Sequence, residues 1–440
     1  MPKSLIIKKK IKKFKKIISV DGDKSISIRW VLFSSLAKGI SIAKNLLVSE
    51  DVMAAIRAIK VLGIKSKLKK NNECIIYGKG FNGFKYKKNL KINAENSGTL
   101  GRLLLGLLVN TPHPIRLVGD KSLSKRDFKR IKDPLSKFGV KFKLKKDKNL
   151  PLTIKGSKNL KPIKYIENRG SAQCKSSVIF AAMRTNGVSN IIAKKSRNHT
   201  ELLSKYLNLP IKVKRTKKYD YIKVSKVNFI RPIKYNIPSD ISSSAFFIVL
   251  TALTQNSELL IKNVNINSSR IGIITILRKM GVSIIFKNKK IYKGEKIADI
   301  KIKSSKRLKS INCPPKFNSG AIDEFLSIFL VAAKAKGIST FKNLGELNQK
   351  ESPRLKWGKY ILDQMGIKTI ATNDSIKIYG NPNLEINRKI VIKNFLKDHR
   401  VFMTSVIAAL SLGGEWKIHD KDSIKTSFPN FLKIVNQIKK

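Results

Sequence analysis

The chain has 440 residues, 42% of them hydrophobic, enough for two or three domains with buried cores, which excludes a disordered tail. Its 92 Lys and Arg stand against 28 Asp and Glu, a net charge of +64, yet 75 of the 92 are Lys spread between Ile and Asn along the whole chain. That spread reads as compositional drift: it excludes a clustered basic module with interleaved aromatics, and so a specific nucleic-acid binder, and leaves nonspecific, salt-sensitive polyanion binding.

In chain order, Ile6, Ile7, Ile11, Phe14, Ile17 and Ile18 predict a first strand. One pattern then recurs: an amphipathic helix, a Gly, and a β-branched strand. Helix 51–62 precedes Gly63 and Ile64, and helix 126–138 precedes Gly139 and Val140. A shorter copy at 200–207 lacks the Gly. Helix 270–280 precedes Gly281 and Val282, helix 354–365 precedes Gly366 and Ile367, and a last helix is predicted over 428–438. The Gly supplies the left-handed position that ends a helix. The copies are too far apart for a solenoid and suit small βαβ-type units. Six units make an α/β chain of two three-unit domains. The two Pro at 232 and 238 place the boundary there, giving one domain over 21–237 and another from 1–20 with 238–440. The cleft between the domains is the expected ligand site. The echo of Gly22-Asp23-Lys24-Ser25-Ile26-Ser27-Ile28-Arg29 in Gly119-Asp120-Lys121-Ser122-Leu123-Ser124-Lys125-Arg126 predicts equivalent turns in equivalent units.

Cys74, Cys174 and Cys313 are too scattered for a disulfide framework or a metal motif and suit a reducing compartment. No apolar run reaches the roughly 18 residues of a spanning helix, and the Lys-rich start lacks a secretory apolar segment. A soluble, cytoplasmic protein with no membrane partner is expected.

Because Lys dominates the cations, an Arg in a polar turn is informative: its planar fork matches carboxylate and phosphate. Arg29, Arg102, Arg126, Arg197, Arg354 and Arg400 all sit at turn-to-helix junctions, where free backbone N–H groups also favour an anion. The sum points to a substrate with several negative charges. Asn96-Ser97-Gly98-Thr99 lets backbone approach a ligand closely, and Ser171-Ala172-Gln173-Cys174-Lys175-Ser176-Ser177 offers hydroxyl and amide donors. Ser196-Arg197-Asn198-His199-Thr200-Glu201 has the form of a capping box. The scarce carboxylates at Asp323-Glu324 and in Lys350-Glu351-Ser352-Pro353-Arg354 are candidate acids and bases, and Asp398-His399-Arg400 adds one of four His. Taken alone, the NSGT motif and the two carboxylate motifs are more often capped helix starts, and only the 196–201 motif is evenly divided between cap and site.

Taken in order, these motifs resemble the signature series of the 5-enolpyruvylshikimate-3-phosphate synthase family, from Gly22 to Pro429. The resemblance implies a two-domain, inside-out α/β barrel of six similar units. It also implies transfer of the enolpyruvyl group of phosphoenolpyruvate to the 5-hydroxyl of shikimate 3-phosphate, with no metal or organic cofactor and a monomeric enzyme. Carried over, Lys24, Gly98, Arg126, Gln173, Arg354 and Arg400 would hold phosphoenolpyruvate. Lys24, Ser25, Arg29, Ser171, Ala172, Gln173, Arg197, Asp323 and Lys350 would hold shikimate 3-phosphate. Asp323 would take the hydroxyl proton and Glu351 would protonate the methylene carbon, with Lys24 and Lys350 sharing the proton work. The chain departs from the family at Ile28, Asp127, Asn348, Pro353 and Thr426, where a polar residue, Pro, Arg, Asp and Lys are usual. The rival with the same fold, a UDP-N-acetylglucosamine enolpyruvyl transferase, usually carries a Cys in the loop that is 121–126 here and Asn after its first Lys. This chain has no Cys there, and Ser25 follows Lys24.

Overall fold

Six apolar stretches lack a polar stripe, and a helix apolar on all sides must be covered on all sides. In the computed structural model, which describes residues 3–440, they form the helices Lys24–Leu36, Gly98–Leu107, Ala172–Ala182, Ile241–Leu253, Phe325–Ala333 and His399–Leu412, each buried over nearly its whole length. Each is followed by a strand that starts a small sheet. Five sheets have four strands in one common order: a parallel edge strand, the strand after the buried helix, then an antiparallel hairpin. The sixth has three strands. This is the inside-out arrangement expected: helices inside, and sheets outside with alternating buried and exposed positions.

The chain divides into two compact units, each with three sheets. One consists of residues 3–21, Pro238–Ile291 and Lys296–Lys440; the other consists of Gly22–Ile237 and the short segment Tyr292–Glu295. Each unit has one continuous apolar core, centred on Phe246, Phe247, Phe325 and Trp416 in the first and on Trp30, Phe33, Phe128 and Phe180 in the second. In the Gly22–Ile237 unit the edge strand of the first sheet is Lys234–Asn236, paired in parallel with Lys38–Lys44, so the end of the unit closes onto its beginning.

The amphipathic helices occur where their period predicts, as Glu50–Val61, Lys129–Ser136, His199–Tyr206, Gly272–Lys279, Arg354–Gln364 and Phe431–Lys439. Gly63, Gly139, Gly281 and Gly366 follow them with φ of +83°, +94°, +90° and +78°. The copy without Gly ends on Asn208 at φ +56°, the other residue type that tolerates this conformation.

Two expectations need correction. The predicted first strand is two strands in different sheets: Leu5–Ile7 pairs antiparallel with Gly413–Ile418, and Lys15–Ile18 pairs in parallel with Glu258–Asn265. The stretch 8–13 between them is mainly exposed lysine, which cannot be buried unpaired. The two GDKS segments share one local cap: the Asp23 carboxylate accepts from the Ile26 N–H at 2.9 Å and Asp120 from the Leu123 N–H at 2.7 Å. They are not equivalent in their units. The first opens the buried helix Lys24–Leu36, whereas the second makes only the single turn Leu123–Lys125. Ile26 and Ile28 continue an apolar period that Lys125 interrupts.

Candidate active site

In the Gly22–Ile237 unit, the expected residues lie at the starts of the buried helices. Lys24 is the first residue of its helix, and its Nζ is 3.1 Å from the Asp51 carboxylate. Arg29 is buried one turn on; it donates to Thr200 Oγ1 at 2.8 Å, the Ser25 carbonyl at 3.0 Å and Ser176 Oγ at 3.1 Å. Ser25 is thus tied to Arg29 by its backbone. Ser97 caps the second buried helix, Gly98–Leu107, through the Leu100 N–H. A Cβ at Gly98 would stand 2.9 Å from Nη1 of Arg126 and 3.0 Å from Nη1 of Arg102, so only glycine leaves these guanidiniums in place. Arg126 donates to Asn96 Oδ1 at 3.1 Å.

Arg102 organises this corner. It donates to Gln173 Oε1 at 2.6 Å and lies over the Phe128 ring. Gln173 Nε2 donates in turn to Thr99 Oγ1 at 3.0 Å. Burial, and then the like charges of Arg126 and Arg130, bring the Arg102 guanidinium down to about 10. Three crowded guanidiniums are relieved by an anion, so the geometry suits a phosphate or carboxylate. Ser171 caps the third buried helix, Ala172–Ala182, by accepting from the Cys174 N–H. The turn before it is built by Glu167, whose carboxylate accepts the N–H groups of Arg169, Gly170 and Ser171 at 3.1, 2.7 and 2.9 Å. Arg197 precedes the His199–Tyr206 helix in the turn 195–198.

The other unit holds the second group. Arg354, buried at the start of its helix, meets three carboxylates: Asp398 through Nε at 2.9 Å, Asp323 through Nη1 at 3.2 Å, and Glu351 through Nη2. Lys350 Nζ is also 3.2 Å from Asp323 Oδ1. Burial would lower the Arg354 guanidinium, but Asp398, Glu351 and Asp323 together raise it well above its ordinary value. Arg400 donates to the Asp323 carbonyl at 2.8 Å and reaches Glu324 at 3.4 Å. The Asp323-Glu324 pair divides by environment. Glu324 is buried and accepts from Ser242 Oγ at 2.5 Å, while the Asp323 side chain keeps 15% of its surface in solvent and Glu351 20%. Two partly exposed carboxylates beside Lys350 and Arg354 are placed where a bound ligand can exchange a proton with them. His399 Nδ1 lies 3.1 Å from Thr426 Oγ1.

The structure thus gathers Lys24, Ser25, Gly98, Arg126, Ser171, Ala172, Gln173, Arg197 and the buried Arg29 in one unit, and Asp323, Lys350, Glu351, Arg354 and Arg400 in the other. Sequence reading singled out Arg102 as a turn arginine but passed over Asp398, Asp51 and Glu167 as members of the site. Of these only Asp398 carried a signal: as the cap of His399–Leu412, its Oδ1 accepts from the Arg400 N–H at 2.9 Å while Oδ2 accepts from Ser352 at 2.9 Å and from Arg354. Burial would raise the Asp398 carboxyl, but Arg354 outweighs it and holds the group below the ordinary 3.8. Its contribution to stability is therefore complete above that value and is lost as pH falls through the lower folded value. Thermal melts from about pH 5 down to about pH 2 should show wild type losing stability in acid more steeply than Asp398→Asn.

Two departures from the family pattern explain each other. Pro353 occupies the cap position of Arg354–Gln364, where it has no side-chain acceptor to offer. The Asn348 side chain supplies one: its Oδ1 accepts from the Leu355 N–H at 3.2 Å, and its Nδ2 donates to the Asn373 carbonyl at 3.0 Å. Asn348→Ala should cost about 1 kcal/mol, the usual loss of a cap, read in denaturant unfolding. Asp127 likewise caps the Lys129–Ser136 helix by accepting from the Lys129 N–H at 2.8 Å.

The three Cys are buried. Burial pushes the thiols of Cys74 and Cys313 up to about 12 and about 11 and raises that of Cys174, so none is an activated nucleophile. Among the described residues no helix is long and apolar enough to cross a membrane.

Residues 8–435 match the family model described as EPSP synthase (3-phosphoshikimate 1-carboxyvinyltransferase). The 3-phosphoshikimate 1-carboxyvinyltransferase of Caldicellulosiruptor saccharolyticus is 37% identical over 96% of this chain and 96% of its own length. That of Thermoanaerobacter sp. strain X514 is 37% identical over 98% and 99%. The solved EPSP synthase of Acinetobacter baumannii superposes with a TM-score of 0.86 at 33% identity, over 99% of this chain and 98% of that one. The enolpyruvyl transferase NikO of Streptomyces tendae, at 12% identity and a TM-score of 0.75 over 100% and 98%, shares the fold. With a full-length family match, and with crowded guanidiniums in one unit and a carboxylate pair set around a buried arginine in the other, the chain belongs to the EPSP synthase family, the 3-phosphoshikimate 1-carboxyvinyltransferases.

Proposed function

We infer that the residues gathered in the two units carry out the family's reaction: transfer of the enolpyruvyl group of phosphoenolpyruvate to the 5-hydroxyl of shikimate 3-phosphate, with release of phosphate, on the pathway to chorismate and the aromatic amino acids. The observation that carries the residue assignment is the pairing of Asp323 and Glu351 around Arg354. In this reading Lys24, Gly98, Arg126, Gln173, Arg354 and Arg400 hold phosphoenolpyruvate. Lys24, Ser25, Arg29, Ser171, Ala172, Gln173, Arg197, Asp323 and Lys350 hold shikimate 3-phosphate. Asp323 accepts the proton of the 5-hydroxyl as its oxygen bonds to C2 of phosphoenolpyruvate, and Glu351 donates a proton to C3. The tetrahedral adduct then loses its C2–O bond to phosphate and a proton from C3, which restores the double bond. Lys24 and Lys350 stabilise the charge that moves.

The test is release of inorganic phosphate from phosphoenolpyruvate. Release should depend on shikimate 3-phosphate as acceptor. Release with UDP-N-acetylglucosamine instead would sink the reading, and the buried, unactivated thiols favour the first outcome.

A further inference from the structure

The strands Ser283–Tyr292 and Glu295–Lys303 form one hairpin, and its tip, Tyr292–Glu295, packs as part of the Gly22–Ile237 unit. Four features seat that tip. The Glu295 carboxylate is 3% exposed and lies 2.7 Å from Nδ1 of His199. The Lys293 ammonium stands 5.5, 5.8 and 5.4 Å from the ring centroids of Tyr206, Tyr235 and Tyr292, inside an aromatic cage. It also donates to the Lys234 carbonyl. Gly294 has φ +87°, and a Cβ there would be 2.8 Å from the Leu202 carbonyl oxygen, so the tip lies against the helix backbone at the one residue type that fits.

His199, Leu202 and Tyr206 all belong to the His199–Tyr206 helix. That helix begins two residues after Arg197, and its Thr200 accepts the hydrogen bond from Arg29 Nε at 2.8 Å. Glu295, His199, Arg29 and Tyr235 line one small cavity. A carboxylate from a distant hairpin therefore fixes the first turn of the helix that follows Arg197 and whose Thr200 holds Arg29, the two arginines assigned to shikimate 3-phosphate.

We propose that Glu295 is a positioning residue for the acceptor: acting through His199, it holds the first turn of the His199–Tyr206 helix so that Arg197 and the Thr200-bound Arg29 meet shikimate 3-phosphate in a fixed geometry. This rests on the functional reading above. It differs from a purely structural role, because loss of the Glu295–His199 contact should weaken one substrate and spare the other. Lys293 holds the same tip without facing His199, so it provides the contrast.

The experiment measures shikimate 3-phosphate binding by calorimetry without phosphoenolpyruvate, and the KM of each substrate, for wild type, Glu295→Ala, Glu295→Gln and Lys293→Met. Glu295→Ala should weaken shikimate 3-phosphate about 10-fold and leave the KM for phosphoenolpyruvate within about twofold, the loss of one positioning contact. Glu295→Gln, which still hydrogen-bonds His199, should recover most of the affinity. Lys293→Met should lower the thermal midpoint with both KM values unchanged. Unchanged acceptor affinity in folded Glu295→Ala would overturn the proposal, as would an equal rise in both KM values. If Glu295→Ala does not fold, Glu295→Asp, with its carboxylate drawn back from His199, replaces it under the same criteria. Failure of wild type to bind shikimate 3-phosphate at all would instead overturn the functional reading.

Discussion

Asp323→Ala and Glu351→Ala should lower turnover on the order of 10²-fold or more at saturating concentrations of both substrates, the scale of one general acid or base. Both carboxylates touch Arg354, so each substitution also removes one of its three carboxylate partners and leaves more of its charge for an anionic substrate. KM for phosphoenolpyruvate should therefore stay level or fall while kcat drops, the pattern of an interaction made in the transition state. Arg126→Ala is the opposite case: its side chain donates to Asn96 Oδ1, crowds Gly98 and is proposed to hold phosphoenolpyruvate without moving a proton, so its loss should raise KM with a smaller change in kcat. Arg400→Ala is less clean than its turn position implied, because Arg400 also holds the Asp323 carbonyl and Glu324. Near wild-type kcat in both carboxylate variants would show the catalytic pair to be misassigned and turn attention to Lys24 and Lys350.

Lys175→Met should destabilise the Gly22–Ile237 unit by about 3–5 kcal/mol, the cost of breaking a buried ion pair by removing one partner. Lys175 has 0% exposure, and its ammonium is 2.7 Å from Glu201 and 3.8 Å from Asp220, themselves buried. Methionine fills the space but leaves two carboxylates with no cation. For a unit of this size the loss is roughly 6–20 °C in thermal midpoint. The triple variant Lys175→Met/Glu201→Leu/Asp220→Leu, which removes every charge, should recover most of it, since an apolar replacement of a whole buried cluster is often neutral. A single variant that melts with wild type would mean that water reaches this cluster. Lys175 lies two residues beyond Gln173 and Glu201 four beyond Arg197, so the link also ties together two helices that start at the proposed acceptor site.

The helix positions and their glycine caps were legible because each rests on a local rule: a 3.6-residue apolar period, then a residue that tolerates positive φ. The partner of a strand is not a local property. Nothing near Leu5 names Ile418, and nothing near Lys38 names Lys234. At the site, the turn arginines and the carboxylates could be singled out because they are rare against a lysine background. Asp51 and Glu167 could not, since their work is to hold Lys24 and the 169–171 turn, and that is decided by contacts 27 and two to four residues away. Asn348 looked like a departure and is a cap, because the acceptor that Pro353 lacks arrives from the preceding turn.

The common sheet order also sets a timetable for synthesis. Residues 22–237 contain all three sheets of their unit, including the closing strand Lys234–Asn236, so this unit can pair its strands while the rest of the chain is still on the ribosome. The opposite holds for the N-terminal segment. Lys15–Ile18 must wait for Glu258–Asn265, and Leu5–Ile7 for Gly413–Ile418, delays of roughly 12–50 s and roughly 20–80 s at about 5–20 residues per second. During that interval Ile6, Ile7, Ile17 and Ile18 are unpaired β-forming residues, the kind that seed aggregation. Lys8, Lys9, Lys10, Lys12, Lys13, Lys15 and Lys16 stand among them as gatekeepers. Replacing these lysines with neutral residues would thus show first in the yield of soluble nascent chain, before any change in the finished enzyme.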